Sequence, residues 1–206
     1  MENTELKSYW NIDLKGKFTD KNSDRLCIVL PGIAYSIDRS YLDYSKQLAL
    51  ELDYDVLQME YGFQIARKEF NVEKEFNVMA TETINAIKAS ISKEYNEILI
   101  IGKSIGTCVQ TLLNKKLKNS IVRNIYISPI EQTVKKGIKE NSLVITGTKD
   151  PLIEPKSIEK IKNIQGVNLI VIDDANHALD IEGDVVKTID MLQDIIIKEK
   201  EFILNR

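Results

Sequence analysis

The chain has 206 residues, 43% of them apolar and 29% charged, with 28 Lys and Arg against 31 Asp and Glu and a net charge of −3. That is room for one domain with a sizeable core, and residues 1–206 are expected to form it without disulfides or metals. The mixed, slightly acidic charge excludes the footprint of a nucleic-acid partner, which needs Lys and Arg clustered on a basic domain.

The richest basic stretch, Asn114–Lys118 (NKKLK), is short and reads as a solvated helix end. The opening MENTELKSYW has no basic region leading into an apolar one, so no secretory signal is expected. Apolar runs such as Ile98–Ile101 and Leu169–Ile172 are far too short to span a bilayer, so no membrane partner is expected. Cys27 lies in an apolar run and Cys108 early in a helical one. Both read as buried thiols, neither a bridge nor a nucleophile. A cytoplasmic location follows as the expectation.

From residue 25 onward, apolar runs alternate with helical patterns. Leu26–Leu30 reads as a fully buried strand stopped by Pro31-Gly32. Tyr44, Leu48 and Leu52 then recur four apart, as on a helix face. Asp55–Tyr61 reads as a strand, and Phe76, Met79, Thr83, Ile87 and Ile91 as a helix. Glu97–Ile101 is a third strand, followed by a glycine-bracketed turn and a helix over 105–117. Ile121–Ser128 and Ser142–Thr146 are strand-like, Glu154–Ile164 helical, and Val167–Ile172 the last strand. Asp184–Lys198, with Val185, Ile189, Leu192 and Ile196 on one face, reads as the closing helix. The first 20 residues fit less well; Tyr9–Leu14 and Lys17–Phe18 suggest a hairpin-like edge. Strands apolar on both faces, alternating with helices, make an α/β fold: a mainly parallel sheet with helices on both faces.

The chemistry centres on Gly102-Lys103-Ser104-Ile105-Gly106, a G-x-S-x-G pattern. It follows an apolar strand and opens a helix, the order that a nucleophile elbow requires. Side chains at Gly102 and Gly106 would crowd the turn, and the helix N-terminus favours charge developing at Ser104. The plainer reading is a capping serine. A phosphate loop is excluded, because it needs a glycine where Glu97 stands. A serine needs a base. The chain has one histidine, His177, in Asp173-Asp174-Ala175-Asn176-His177, directly after the last strand. A lone histidine is more often structural, but this position reaches the C-terminal edge of a parallel sheet. Asp150, after the strand at 142–146 and before Pro151, falls between serine and histidine in the chain and is the candidate acid. Asp173 and Asp174 are its rivals. An oxyanion hole would take one N–H from Ile105 and a second from Ile33 or Ala34, in the loop after the first strand. Tyr35, Ser36, Glu60 and Tyr61 are candidate pocket residues.

These features together resemble the α/β-hydrolase superfamily. The residues that carry the likeness are the Pro31-Gly32 loop, GKSIG at 102–106, TGTKDP at 146–151 and DDANH at 173–177. Among its members the chain is similar to small, lidless bacterial serine hydrolases and to the dienelactone-hydrolase-like group. The resemblance implies an α/β-hydrolase fold from about Leu26 onward. It also implies an acyl-enzyme on Ser104, with Asp150 and His177 completing a triad, and neither metal nor organic cofactor. Two departures weaken any inference about substrate: Lys103 precedes the nucleophile, and Pro31-Gly32 replaces the usual His-Gly pair. The stretch between Pro129 and Ser142 is short, so no cap domain and an open site are expected.

The expected activity is hydrolysis of a small carboxylester or thioester, with lactones and small amides left open. Two alternatives differ in kind: a silent α/β-hydrolase fold serving as a binding or interaction module, and acyl transfer to an acceptor other than water. Partner binding that survives loss of Ser104 and His177 would mark the first, and added alcohols or thiols would reveal the second.

Overall fold

The computed structural model describes residues 7–117 and 120–205. Residues 1–6 of the opening segment and Lys118 of the basic stretch lie outside the described residues. Lys115 and Lys116 are exposed just past a helix end. No helix among the described residues is long and apolar enough to cross a membrane.

Among the described residues, seven strands form one sheet. In chain order they are β1 (Lys17–Thr19), β2 (Arg25–Leu30), β3 (Asp55–Gln58), β4 (Glu97–Lys103), β5 (Ile121–Ile127), β6 (Leu143–Gly147) and β7 (Asn168–Ile172). In space the order is β1-β3-β2-β4-β5-β6-β7. Only β1 runs antiparallel, against the free edge of β3. The others pair in parallel, each strand from β2 to β6 covered on both sides. The chain steps from β2 outward to β3, then returns across β2 to β4. At β2 and β4 the connections therefore leave in opposite directions, which opens a crevice at the strands' C-terminal ends.

Among the described residues, seven helices cover the sheet: α1 (Ser40–Glu51), α2 (Gly62–Ile65), α3 (Val72–Ser90), α4 (Ile105–Asn114), α5 (Glu131–Lys136), α6 (Pro155–Lys162) and α7 (Val185–Leu204). The side-chain period of two sorts each strand between two cores. Cys27, Val29, Leu99 and Ile101 face one side, under α1 and α7. Leu26, Ile28, Leu30, Ile98 and Ile100 face the other, under α3 and α4. Tyr126 and Val144 continue that second layer beneath α6. Each such fully buried aliphatic side chain contributes roughly 1.5–3 kcal/mol relative to exposure.

Several sequence expectations need correction. Tyr9–Leu14 and Lys17–Phe18 do not form a hairpin: residues 7–13 close on themselves through a single Lys7–Asp13 bridge, and β1 takes the unpaired edge of β3. Strand β3 stops at Gln58, because Tyr61 caps α2. Tyr44 on α1 is exposed; the buried face is Tyr41, Leu42, Ser45, Leu48 and Ala49. Helix α7 runs six residues past Lys198, and its buried stripe is Ile195, Glu199 and Ile203. Its first turns lie off the core, leaving Val185, Val186 and Ile189 exposed.

Candidate active site

Every residue of β4 is buried, and the strand delivers Ser104 to the crevice. Ser104 has φ 54° and ψ −120°, a left-handed conformation that a residue with a side chain adopts only when its surroundings enforce it. Its N–H donates to the Ile127 carbonyl at 3.0 Å, and its carbonyl accepts from the Thr107 N–H at 2.9 Å. The flanking glycines have a steric cause. A Cβ on Gly106 would stand 2.6 Å from the carbonyl oxygens of Leu30 and Pro31, and one on Gly102 would stand 3.0 Å from the Gly106 backbone. Helix α4 thus lies directly against the end of β2. Ser104 occupies the N-cap position of α4, yet its side chain makes no capping bond. The hydroxyl is turned elsewhere, which removes the plain capping reading.

The partner loops come from β6 and β7. Gly147 lets them touch: a Cβ there would fall 2.0 Å from the Ala175 carbonyl oxygen. Lys149 N–H donates to that same carbonyl at 3.0 Å. The His177 segment is a small closed loop. Ala175 bridges Ile181, and the Asn176 side chain accepts from the N–H groups of Ala178 and Asp180 at 2.8 and 3.1 Å. The Tyr41 hydroxyl on α1 donates to the Leu179 carbonyl at 2.8 Å. Within this frame His177 Nδ1 lies 2.8 Å from Asp150 Oδ2, and Nε2 lies 2.8 Å from Ser104 Oγ. The Asp150 side chain is 0% exposed and that of His177 24%. Asp150 Oδ1 accepts from the Leu152 N–H at 2.9 Å. A carboxylate only accepts, so Nδ1 carries the ring proton and Nε2 offers its lone pair to the serine hydroxyl.

The rival acids are engaged elsewhere. Asp174 pairs with Lys149 at 2.8 Å, and Asp173 accepts from the Thr148 hydroxyl at 3.2 Å. The loop after β2 passes beside Ser104, where a Cβ on Gly32 would stand 3.3 Å from the serine Cβ. Among the described residues no acceptor takes the backbone N–H of Ile33, Ala34 or Ile105. Ile33 and Ile105 line the same pocket as Ser104; Ala34, Ser36 and Glu60 line a second, shallower depression that Ile33 also borders. Tyr61 is not a pocket residue: it is fully buried, its hydroxyl donating to the Pro31 carbonyl at 2.8 Å beneath the loop. Tyr35 is also buried, its hydroxyl accepting from the Tyr41 N–H at 3.1 Å.

The pocket at Ser104 measures about 600 Å³. Its walls include Val72 and Phe76 of α3, Ile130, Cys108 and Leu152. Glu131, at its rim, is held by the Ser157 hydroxyl at 2.8 Å and the Glu154 N–H at 3.2 Å, which keep its carboxyl below the usual range against the opposing effect of burial. The expectation of an open, bare site is therefore amended. The stretch between β5 and β6 is short, but it folds as α5, and α5 and the first turns of α3 wall the serine. Thr133 of α5 bonds the Thr107 hydroxyl and the Cys108 thiol on α4, which holds that wall in place. A larger depression of about 920 Å³, lined by Arg25, Glu97 and Ile121, lies at the opposite, N-terminal ends of the strands. Ligands of open α/β sheets bind at the carboxyl ends, so the smaller pocket is the relevant one.

Sequence reasoning missed Lys103. Its side chain is buried, its ammonium donating to the Ser128 hydroxyl at 2.8 Å and the His177 carbonyl at 2.7 Å. The available signal was a lysine closing a seven-residue strand that is otherwise buried on both faces. Cys27 and Cys108 are buried free thiols, and burial raises the pKa of both.

No known family's sequence pattern matches the chain, and no curated protein matches it. Solved structures do. A protein of unknown function from Agrobacterium tumefaciens, provisionally assigned to the alpha/beta hydrolases, superposes with a TM-score of 0.70 at 16% identity, over 92% of this chain and 89% of its own. Est1E from Butyrivibrio proteoclasticus gives 0.70 at 16% identity, over 94% of each chain. An esterase from Pyrococcus furiosus gives 0.67 at 20% identity, over 95% of this chain and 87% of its own. At such identities the likeness is one of fold, and the fold of this chain is that of the α/β hydrolases.

Proposed function

We propose that this α/β-hydrolase fold carries a serine hydrolase, which cleaves a small carboxylester or thioester through an acyl-enzyme on Ser104. One observation carries the reading. Asp150, His177 and Ser104 form a continuous chain of hydrogen bonds, 2.8 Å at each histidine nitrogen, beside a pocket whose lining is mainly apolar.

Ser104 Oγ attacks the acyl carbon while Nε2 of His177 takes its proton. Asp150 holds the imidazole in the tautomer that can do this and stabilises the imidazolium that results. The carbonyl oxygen becomes an oxyanion, met by the N–H of Ile105 at the start of α4 and by the N–H of Ile33. Both donors are unengaged within the described residues, and both residues line the pocket at Ser104, which favours Ile33 over Ala34. Collapse breaks the bond to the leaving oxygen or sulfur, which takes the proton from Nε2. Water then enters, gives a proton to Nε2 and attacks the acyl carbon; Ser104 leaves and recovers its proton. The walls of Val72, Phe76, Ile130 and Leu152 suit a short apolar acyl or alcohol group.

The test is turnover of p-nitrophenyl esters and acyl thioesters of increasing chain length by the wild type and by Ser104→Ala. The variant is expected to lose roughly 10⁴–10⁶-fold in turnover, because residues of a triad act as a unit. Retention of more than about a tenth of wild-type turnover would exclude Ser104 as the nucleophile.

A further inference from the structure

The buried ammonium of Lys103 has no part in the chemistry just described. Burying a charge is costly, and a methionine of similar length would fill the same space without that cost. Its surroundings come from five segments. Ser128, at φ 45° beyond β5 and anchored by its N–H to the Ile145 carbonyl at 2.7 Å, accepts one ammonium proton. The His177 carbonyl accepts another. The Tyr35 ring from the loop after β2 stands 5.0 Å away, and Tyr41 of α1 bonds Tyr35 from behind. Asp150 and Asp180 supply the nearby negative charge.

We propose that Lys103 is a positioning residue for the base: its ammonium ties the His177 backbone carbonyl to the end of β5 at Ser128, fixing the point from which the imidazole reaches Ser104. Lys103 precedes the serine on β4. One rigid strand end therefore sets both the nucleophile and, through the lysine, the loop that carries the base. Desolvation brings the ammonium down to about 7, against the attraction of Asp150 and Asp180. The inference rests on the hydrolase reading for its kinetic consequence, but its structural consequence can be read separately. His177 is the chain's only histidine, so its ring is directly visible by NMR of 15N-histidine-labelled protein.

The experiment compares wild type with Lys103→Met by that NMR measurement and by ester kinetics. In the wild type the Nδ1 proton held by Asp150 is expected as a far-downfield resonance. In Lys103→Met it broadens or is lost while the core methyl signals persist, and kcat falls about 10–100-fold with KM unchanged, the effect of slight misplacement of a reacting group. Lys103→Gln keeps an N–H donor without the charge; it is expected to fall between the two and is read instead if the methionine variant does not fold. A folded Lys103→Met with a sharp His177 resonance and wild-type kcat overturns the proposal, as does a wild type lacking the resonance. A wild type without ester turnover, whose resonance is still lost in Lys103→Met, overturns the hydrolase reading and leaves the positioning role standing.

Discussion

Asp150 and its neighbours Asp173 and Asp174 differ in burial and in partner, and this sets what each substitution should do. Asp150→Asn presents an amide where the carboxylate was and favours the wrong imidazole tautomer. A fall in kcat of about 10⁴-fold is expected, with the thermal unfolding midpoint little changed. Asp173→Asn and Asp174→Asn touch only exposed contacts with Thr148 and Lys149 and should keep kcat close to wild type. Steady-state kinetics of the three variants decides between them, and equal losses would contradict the assignment of Asp150. At this scale the sequence made Ser104, Asp150 and His177 legible through spacing and chain order, but not the choice between Ile33 and Ala34. That choice depends on which way a loop of five residues turns. Lys103 stayed hidden because a lysine beside a motif ordinarily reads as solvated, and only the enclosing tertiary structure reverses that.

Elements meet at this site with almost no spare room, and Gly147 is the tightest point. Gly147→Ala would drive its methyl group into the Ala175 carbonyl, prising apart the loops that carry Asp150 and His177. Catalysis should therefore suffer along with stability, as it should in Gly106→Ala, where the helix that moves carries Ser104 at its start. The latter presses α4 off β2 and should cost about 1–3 kcal/mol through overpacking. For a chain of this size that is a fall of roughly 2–12 °C in Tm. Calorimetry together with ester kinetics on both variants checks the pair. The parallel strands were readable because most contain a short, continuous apolar run bounded by Gly, Pro or polar residues; β5, interrupted by Arg123 and Asn124, is the exception. Helices α2 and α5 were not, being four and six residues long. Such short helices depend on contacts outside themselves, here the Thr133–Thr107 bond for α5 and the Gln64 side chain accepting from the Tyr61 N–H for α2. The buried stripe of α7 was misplaced for a related reason. Periodicity defines a helix face, but which turns of that face reach the core depends on where the sheet ends.

At the scale of the whole molecule, a buried carboxyl remote from catalysis couples the stability of the fold to pH. Glu199 of α7 is fully buried, and neither carboxyl oxygen has a hydrogen-bond partner. The Ser45 hydroxyl on α1 is near, but it donates to the Tyr41 carbonyl at 2.6 Å. Burial pushes the Glu199 carboxyl up to about 8 from the ordinary value of 4.5. Between those values the folded chain holds a proton that the unfolded chain has released, so stability falls as pH rises through that window. The slope from this group is at most about 1.4 kcal/mol per pH unit, and it levels off above about 8. Glu199→Gln removes this dependence. Chemical denaturation at several pH values should show the variant gaining on the wild type from pH 5 to 8; parallel curves would contradict the account.

The central claim is that Ser104 is an activated nucleophile, and a fluorescent fluorophosphonate tests it most directly. Wild type, Ser104→Ala and His177→Ala are labelled in parallel, and the modified peptide is mapped by mass spectrometry. The account predicts rapid labelling of the wild type on Ser104, none in Ser104→Ala, and labelling slowed by orders of magnitude in His177→Ala. Folded wild-type protein that does not label, or that labels at a residue other than Ser104, would contradict it.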